Sequence, residues 1–128
     1  KQKKGATLAS GPLLMQDGAC VWNDENDSFN STKHPRSAIF TTKEKKTVFI
    51  TVDGRRKGNA TGVSIAELTH LIRMLGGHDA LNLDGGGSTT LWMEGASENG
   101  VLNAPSDNVK FDHQGERKIP NIIYVYKH

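Results

Sequence analysis

Two aspartates and a run of three glycines carry the clearest chemical potential in this chain of 128 residues. Asp53 closes the apolar run Thr47-Val48-Phe49-Ile50-Thr51-Val52, Asp84 closes Ala80-Leu81-Asn82-Leu83, and each is followed by glycine. Carboxylates at the ends of strands that point the same way share one rim of a sheet, where open α/β sheets bind ligands. Neighbouring strands would set the two backbones ~4.8 Å apart, and one intervening strand ~10 Å. Those values bracket the carboxyl separations of roughly 5 Å and 6.5–9.5 Å at which paired acids hydrolyse glycosidic bonds with retention or inversion. Gly85-Gly86-Gly87 permit φ > 0 and close approach of a ligand to the backbone, and Ser88 and Thr89 add hydroxyls, which together suit an anion. A P-loop would need Gly-Lys-Ser/Thr and a dinucleotide fingerprint would open a helix; neither pattern is present. Arg36 and Arg55 offer guanidiniums near the same rim, able to hold a phosphate through paired hydrogen bonds. Asn103-Ala104-Pro105-Ser106-Asp107 contributes an amide, a rigid turn, a hydroxyl and a third carboxylate.

The elements that must position these groups follow from local patterns. Asp17-Gly18 between two apolar runs predicts a hairpin, and residues 23–33 read as a polar loop. Residues 36–41 and 47–53 form a second hairpin, the latter so rich in β-branched and aromatic residues that it suits a central strand covered on both faces. Ser64-Ile65-Ala66-Glu67 is a capping box, and Ile65, Leu68, Leu71, Ile72 and Leu75 recur at helical spacing before Gly76-Gly77, so a helix is expected over 64–75. With strands at 47–53 and 80–84 this makes a strand-helix-strand unit, whose strands are expected to run parallel. Residues 89–93 and 120–126 read as further strands, and 103–117 as irregular. The fold class expected is α/β: a mixed sheet flanked by helices with a ligand cleft at the sheet edge.

Composition narrows the functional classes. The net charge is +2, with 16 basic against 14 acidic residues, and the bases form no continuous stripe, so no nucleic-acid partner is expected. No run approaches the ~20 apolar residues of a membrane span. The lone Cys20 reads as a small buried hydrophobe and excludes an internal disulfide and a cysteine-based zinc site. The five histidines show no ligand spacing and read as surface or loop residues. Nothing divides residues 1–128 into two domains, and the opening on Lys1 reads as a piece of a longer protein.

Taken in order, Ser10-Gly11-Pro12-Leu13-Leu14 with Asp17-Gly18, His34-Pro35-Arg36-Ser37-Ala38, Val52-Asp53-Gly54-Arg55, the helix from Ser64, Asn82-Leu83-Asp84-Gly85-Gly86-Gly87-Ser88-Thr89, Asn103-Ala104-Pro105-Ser106-Asp107 and Pro120-Asn121 resemble the phosphodiester glycosidase family. The resemblance covers nearly all of this chain but only the later part of the family's domain, so the earlier strands are expected as an N-terminal part on a longer or separate chain. It implies a glycosidase acting on a sugar-1-phosphodiester of the α-N-acetylglucosamine type, in a secreted or cell-envelope protein. Thr89 stands where a second Ser is common, and the His34-Pro35 lead-in to Arg36 also differs from the family pattern.

On that basis Asp53 and Asp84 are expected to serve the anomeric carbon, and Arg36, Arg55 and the amides of residues 85–88 to hold the phosphodiester. Asn82, Asn103, Ser106 and Asp107 are expected to bind the sugar side, with no cofactor. Two alternatives stay open: a divalent cation among Asp53, Asp84 and Asp107, which would make a metal-assisted phosphodiesterase, and a non-catalytic glycan-binding module of the cell envelope.

Overall fold

The structure, a computed structural model, describes residues 7–23 and 27–126. Asp17 and Gly18 take φ of +50° and +79°, the left-handed pair that a two-residue hairpin turn requires. They join β1 (Leu13–Gln16) to β2 (Ala19–Cys20), as the sequence predicts. The polar stretch that follows holds one helical turn, α1 (Ser28–Ser31), because the Asp27 carboxylate accepts the Phe29 N–H at 3.0 Å and caps it. Cys20 is exposed, not buried, since the short β2 lies at the edge of the sheet.

β3 (Arg36–Thr42) and β4 (Thr47–Val52) form the second hairpin, with Arg36 opposite Val52 and Thr41 opposite Thr47. After the helix α2 (Ile65–Met74), β5 (Gly77–Asn82) pairs with the free side of β3, Ala38 opposite Asn82 and Ile39 opposite Leu81. The strand order is β2-β1-β5-β3-β4 and every neighbouring pair is antiparallel. This corrects two expectations. The adjacent strands are not mixed in direction, and β4 is an edge strand with half-buried side chains, β3 holding the inner place. β4 and β5 nevertheless run the same way, because each is antiparallel to β3, and they stand about 10 Å apart with β3 between them.

α2 forms as expected. The Ser64 hydroxyl accepts the Glu67 N–H at 3.2 Å and the Glu67 carboxylate accepts the Ser64 N–H at 2.8 Å. Ile65, Leu68 and Ile72 are fully buried against Leu14, Met15, Ala38, Phe40 and Ala80, while Leu75, expected on the same face, caps the helix in solvent. The Trp22 indole N–H donates to the Thr69 hydroxyl at 2.9 Å, fastening the exit of β2 to this helix. The register places Leu13, Leu81, Ile39 and Phe49 in a row on the opposite face of the sheet.

Two expected strands do not form. After Asp84 the glycines enter a single 3-10 turn at Gly86–Ser88, and of residues 89–93 Trp92 alone makes a bridge, to Val101. The Asn103 side chain takes the place of a ladder there, accepting the Leu91 N–H at 2.8 Å and donating to the Thr89 carbonyl at 2.9 Å. Residues 120–126 form no strand and pair with none among the described residues, and Tyr124, 70% exposed, stacks on Tyr126 with ring centres 5.9 Å apart.

Ser64→Ala removes one half of the reciprocal cap. It is expected to lower the unfolding free energy in urea by about 1 kcal/mol; wild-type stability in that variant would show that the cap contributes nothing.

Candidate active site

The amino end of β3 lies beside the carboxyl ends of β4 and β5, so Pro35 is enclosed between the corners Asp53-Gly54 and Asp84-Gly85. A β-carbon at Gly54 would come within 2.7 Å of the Pro35 nitrogen, and one at Gly85 within 2.8 Å of the Pro35 carbonyl oxygen. That carbonyl also accepts the Gly86 N–H at 2.8 Å. Packing on this buried proline therefore explains both glycines and sets the two aspartates on one rim.

The carboxylates differ in surroundings. Asp53 is half-buried and accepts the Ala104 N–H at 3.0 Å, which draws residues 103–107 to the rim. Asp84 is exposed; one oxygen accepts the Gly85 N–H at 2.9 Å, and the other has no donor among the described residues.

The two arginines have separate roles. Arg36 is 2% exposed and donates to the carbonyls of Val63, Phe29 and Thr32 at 3.1, 2.6 and 2.9 Å, with its guanidinium 4.6 Å from the centre of the Phe29 ring. No carboxylate among the described residues pairs with it. It is committed to the scaffold and acts on the rim through its charge, which burial and then Arg55 make harder to hold. Arg55 is exposed and takes φ of +57°, a left-handed conformation that costs a non-glycine residue roughly 1–2 kcal/mol. Its guanidinium packs on Gly86, where a β-carbon would lie 3.1 Å from the nearest nitrogen. Its Nε and Nη2 both face His34 Nδ1 at 3.3 Å.

His34, read from the sequence as a loop residue, is thus a neighbour of the site. Burial, then the charges of Arg55 and Arg36, hold its ring below the ordinary value of 6.5, which favours the neutral ring, and the tautomer with Nδ1 unprotonated accepts from Arg55. The sequence cue was its position immediately before Pro35-Arg36.

The glycine turn works differently from the expected cradle of amides. The N–H groups of Gly85, Gly86 and Ser88 donate to Asp84 Oδ1 and to the carbonyls of Pro35 and Gly85 at 2.9, 2.8 and 3.1 Å. What the glycines supply is room: for Arg55 at Gly86, and at Gly87 for an ion pair in which Arg117 Nε donates to Asp107 Oδ2 at 2.7 Å. Arg117 carried no sequence signal, lying in a stretch read only as irregular.

Of the residues expected on the sugar side, Asn82 and Asn103 are buried and structural. Asn82 donates to the Gly11 and Leu83 carbonyls at 2.8 and 3.0 Å, and Asn103 bridges Leu91 and Thr89. Thr89 is likewise buried, and neither its hydroxyl nor that of Ser106 has a partner among the described residues. Asp107 is exposed at the rim. Asp53, Asp84 and Asp107 do not gather as a metal-ligand set. Among the described residues that arrangement is found at Asp17, His78 and Asp79, by the opposite end of β5, where Asp79 already accepts from the Asp17 N–H and Thr41 and is bonded to His78 Nδ1.

A histidine held below its ordinary value binds fewer protons folded than unfolded as pH falls, so stability declines as pH drops through about 6.5. The thermal midpoint is therefore expected to fall between about pH 7 and pH 5 and to fall less in His34→Gln; identical profiles would remove His34 from the network.

A family model described as phosphodiester glycosidase matches residues 1–126. The uncharacterized SPbeta prophage-derived protein YomE of Bacillus subtilis (strain 168) is 36% identical over 106 residues, 77% of this chain and 16% of YomE. A solved hypothetical protein from Synechocystis superposes with a TM-score of 0.55 at 34% identity, over 72% of this chain and 17% of that one. A Burkholderia pseudomallei K96243 protein described as exported gives 0.54 at 30%, over 65% and 15%. The catalytic domain of zebrafish N-acetylglucosamine-1-phosphodiester alpha-N-acetylglucosaminidase, auto-inhibited by its pro-peptide, shares the fold, with a TM-score of 0.67 at 21% identity over 88% of this chain and 39% of that domain. The chain thus spans well under half the length of each of these relatives. By the match over residues 1–126, the chain belongs to the phosphodiester glycosidase family.

Proposed function

We propose that this chain supplies the catalytic rim of a hydrolase that cleaves a sugar-1-phosphodiester of the α-N-acetylglucosamine type, releasing free sugar and a phosphomonoester. The observation that carries the reading is the pair of aspartate corners closed on Pro35, with the strained Arg55 laid across Gly86 beside them. Arg55 holds the phosphodiester, and the buried charge of Arg36 adds to the positive potential there. Asp84, exposed with one free oxygen, acts on the anomeric carbon, while Asp53 completes the rim and orders residues 103–107. A phosphate leaving group departs readily, so stabilising charge in the transition state carries more of the rate than a strong general acid would. The intervening β3 favours the wider carboxyl spacing, roughly 6.5–9.5 Å, that admits a water and inverts the sugar.

The apolar row Leu13, Leu81, Ile39 and Phe49 and the extended residues 120–126 are proposed to pack against further polypeptide of the same domain. The partial coverage of every relative is consistent with this. A secreted or cell-envelope location is the matching proposal, in keeping with the Burkholderia relative being described as exported.

Release of free N-acetylglucosamine from a nucleotide-linked α-phosphodiester, followed by proton NMR of the new anomeric centre, tests the reading. Asp84→Asn is expected to reduce turnover by about 10²–10⁴-fold with little loss of stability; near-normal turnover in that variant would remove Asp84 from the chemistry.

A further inference from the structure

Gly86 and Gly87 are consecutive residues of one turn, and each has a guanidinium packed on it from a different part of the chain. Arg55, following β4, covers Gly86, with its nearest atoms 3.1 to 3.3 Å from where a β-carbon would stand. Arg117, from the last third of the chain, covers Gly87 together with Asp107, and a side chain added there would run into both groups. Both arginines are exposed, unlike Arg36. Each is held along one edge by a neutral or acidic acceptor. Arg55 presents Nε and Nη2 to His34, and Arg117 presents Nε to Asp107. That leaves Arg55 Nη1 and both terminal nitrogens of Arg117 without an acceptor among the described residues. Hydrogen bonding to Asp107, its charge and that of Asp84 all strengthen the hold of Arg117 on its proton, so Arg117 also feels the carboxylate assigned to the chemistry.

We propose that Arg117 is the second arm of an anion clamp, gripping a phosphate across the Gly86-Gly87 turn from Arg55, with Asp107 as the residue that positions it. This rests on reading the site as one for a sugar-1-phosphodiester and adds to it a phosphate-binding residue and a role for Asp107. A guanidinium tethered through Nε presents its two Nη groups as a fork, the geometry that binds two phosphate oxygens at once. Gly86 also takes a left-handed φ of +61°, and at both 86 and 87 an added side chain would press on the guanidinium that covers the turn.

The test is calorimetric titration of the full 128-residue chain with N-acetylglucosamine-1-phosphate, with inorganic phosphate and with neutral N-acetylglucosamine. Arg117→Gln is expected to weaken both phosphate ligands on the order of tenfold or more and to leave the neutral sugar unchanged. Arg117→Lys, which keeps the charge and loses the fork, should fall between. Arg73→Gln, on the exposed side of α2, serves as a control and should bind as wild type. If Arg55→Gln weakens phosphate binding while Arg117→Gln does not, the clamp is overturned and the sugar-phosphodiester reading stands. Equal weakening of phosphate and neutral sugar in Arg117→Gln would make Arg117 a support for its loop, which also overturns the clamp. Failure of the wild-type chain to bind either phosphate ligand would overturn both.

Discussion

The buried Pro35 is the constraint on which the site depends. It is the residue before β3, and β3 is antiparallel to a strand on each side, so the chain arrives at the sheet exactly where two other strands leave it. The β4 exit turns at Asp53-Gly54 and the β5 exit at Asp84-Gly85, each pressed so closely on Pro35 that a β-carbon would collide. The repeated Asp-Gly pair is thus a packing solution first, and the common address of the two carboxylates follows from it. Arg36, one residue on, draws the carbonyls of Phe29, Thr32 and Val63 around its guanidinium and fixes the walls of the same corner.

A buried cation without a carboxylate partner is costly, and an arginine in the left-handed region is strained. Both occur within a few residues of the rim, which marks it as more than a convenient turn. Their combined effect is positive charge next to the half-buried Asp53 and the exposed Asp84. The amides of Gly85, Gly86 and Ser88 donate inside the protein, and glycine leaves room for the guanidiniums of Arg55 and Arg117 and, at Gly86, allows a φ of +61°.

Much of this was legible in the sequence where the determinants are local. The capping box at Ser64 and Glu67 specified α2, Asp17-Gly18 specified the first hairpin, and the glycine-flanked aspartates marked the rim. The place of β4 was not legible, because an apolar β-branched run reads the same in an edge strand as in an inner one, and nothing local says that β3 slips between β4 and β5. The apolar run 120–126 reads as a strand, but a strand needs a partner to pair with, and among the described residues none pairs with it. At residues 89–93 the backbone pairs only around the Trp92–Val101 bridge, and the Asn103 side chain takes the Leu91 N–H and the Thr89 carbonyl that a longer ladder would have used. His34 reads from sequence only as a loop residue leading into Pro35-Arg36, and Arg117 carries no signal, because their places come from contacts with Arg55 and with Asp107 and Gly87, which spacing along the chain does not reveal.

The most direct measurement is a ¹⁵N–¹H correlation spectrum of the labelled chain titrated with N-acetylglucosamine-1-phosphate. The account predicts shifts concentrated at residues 53–55, 84–88 and 104–107, the three segments joined through Pro35 and Asp53, with α2 and the Asp17 end of the sheet unmoved. Saturable shifts centred on α2 or on the Asp17 turn, or no shifts at ligand concentrations well above those of ordinary sugar-phosphate sites, would contradict it.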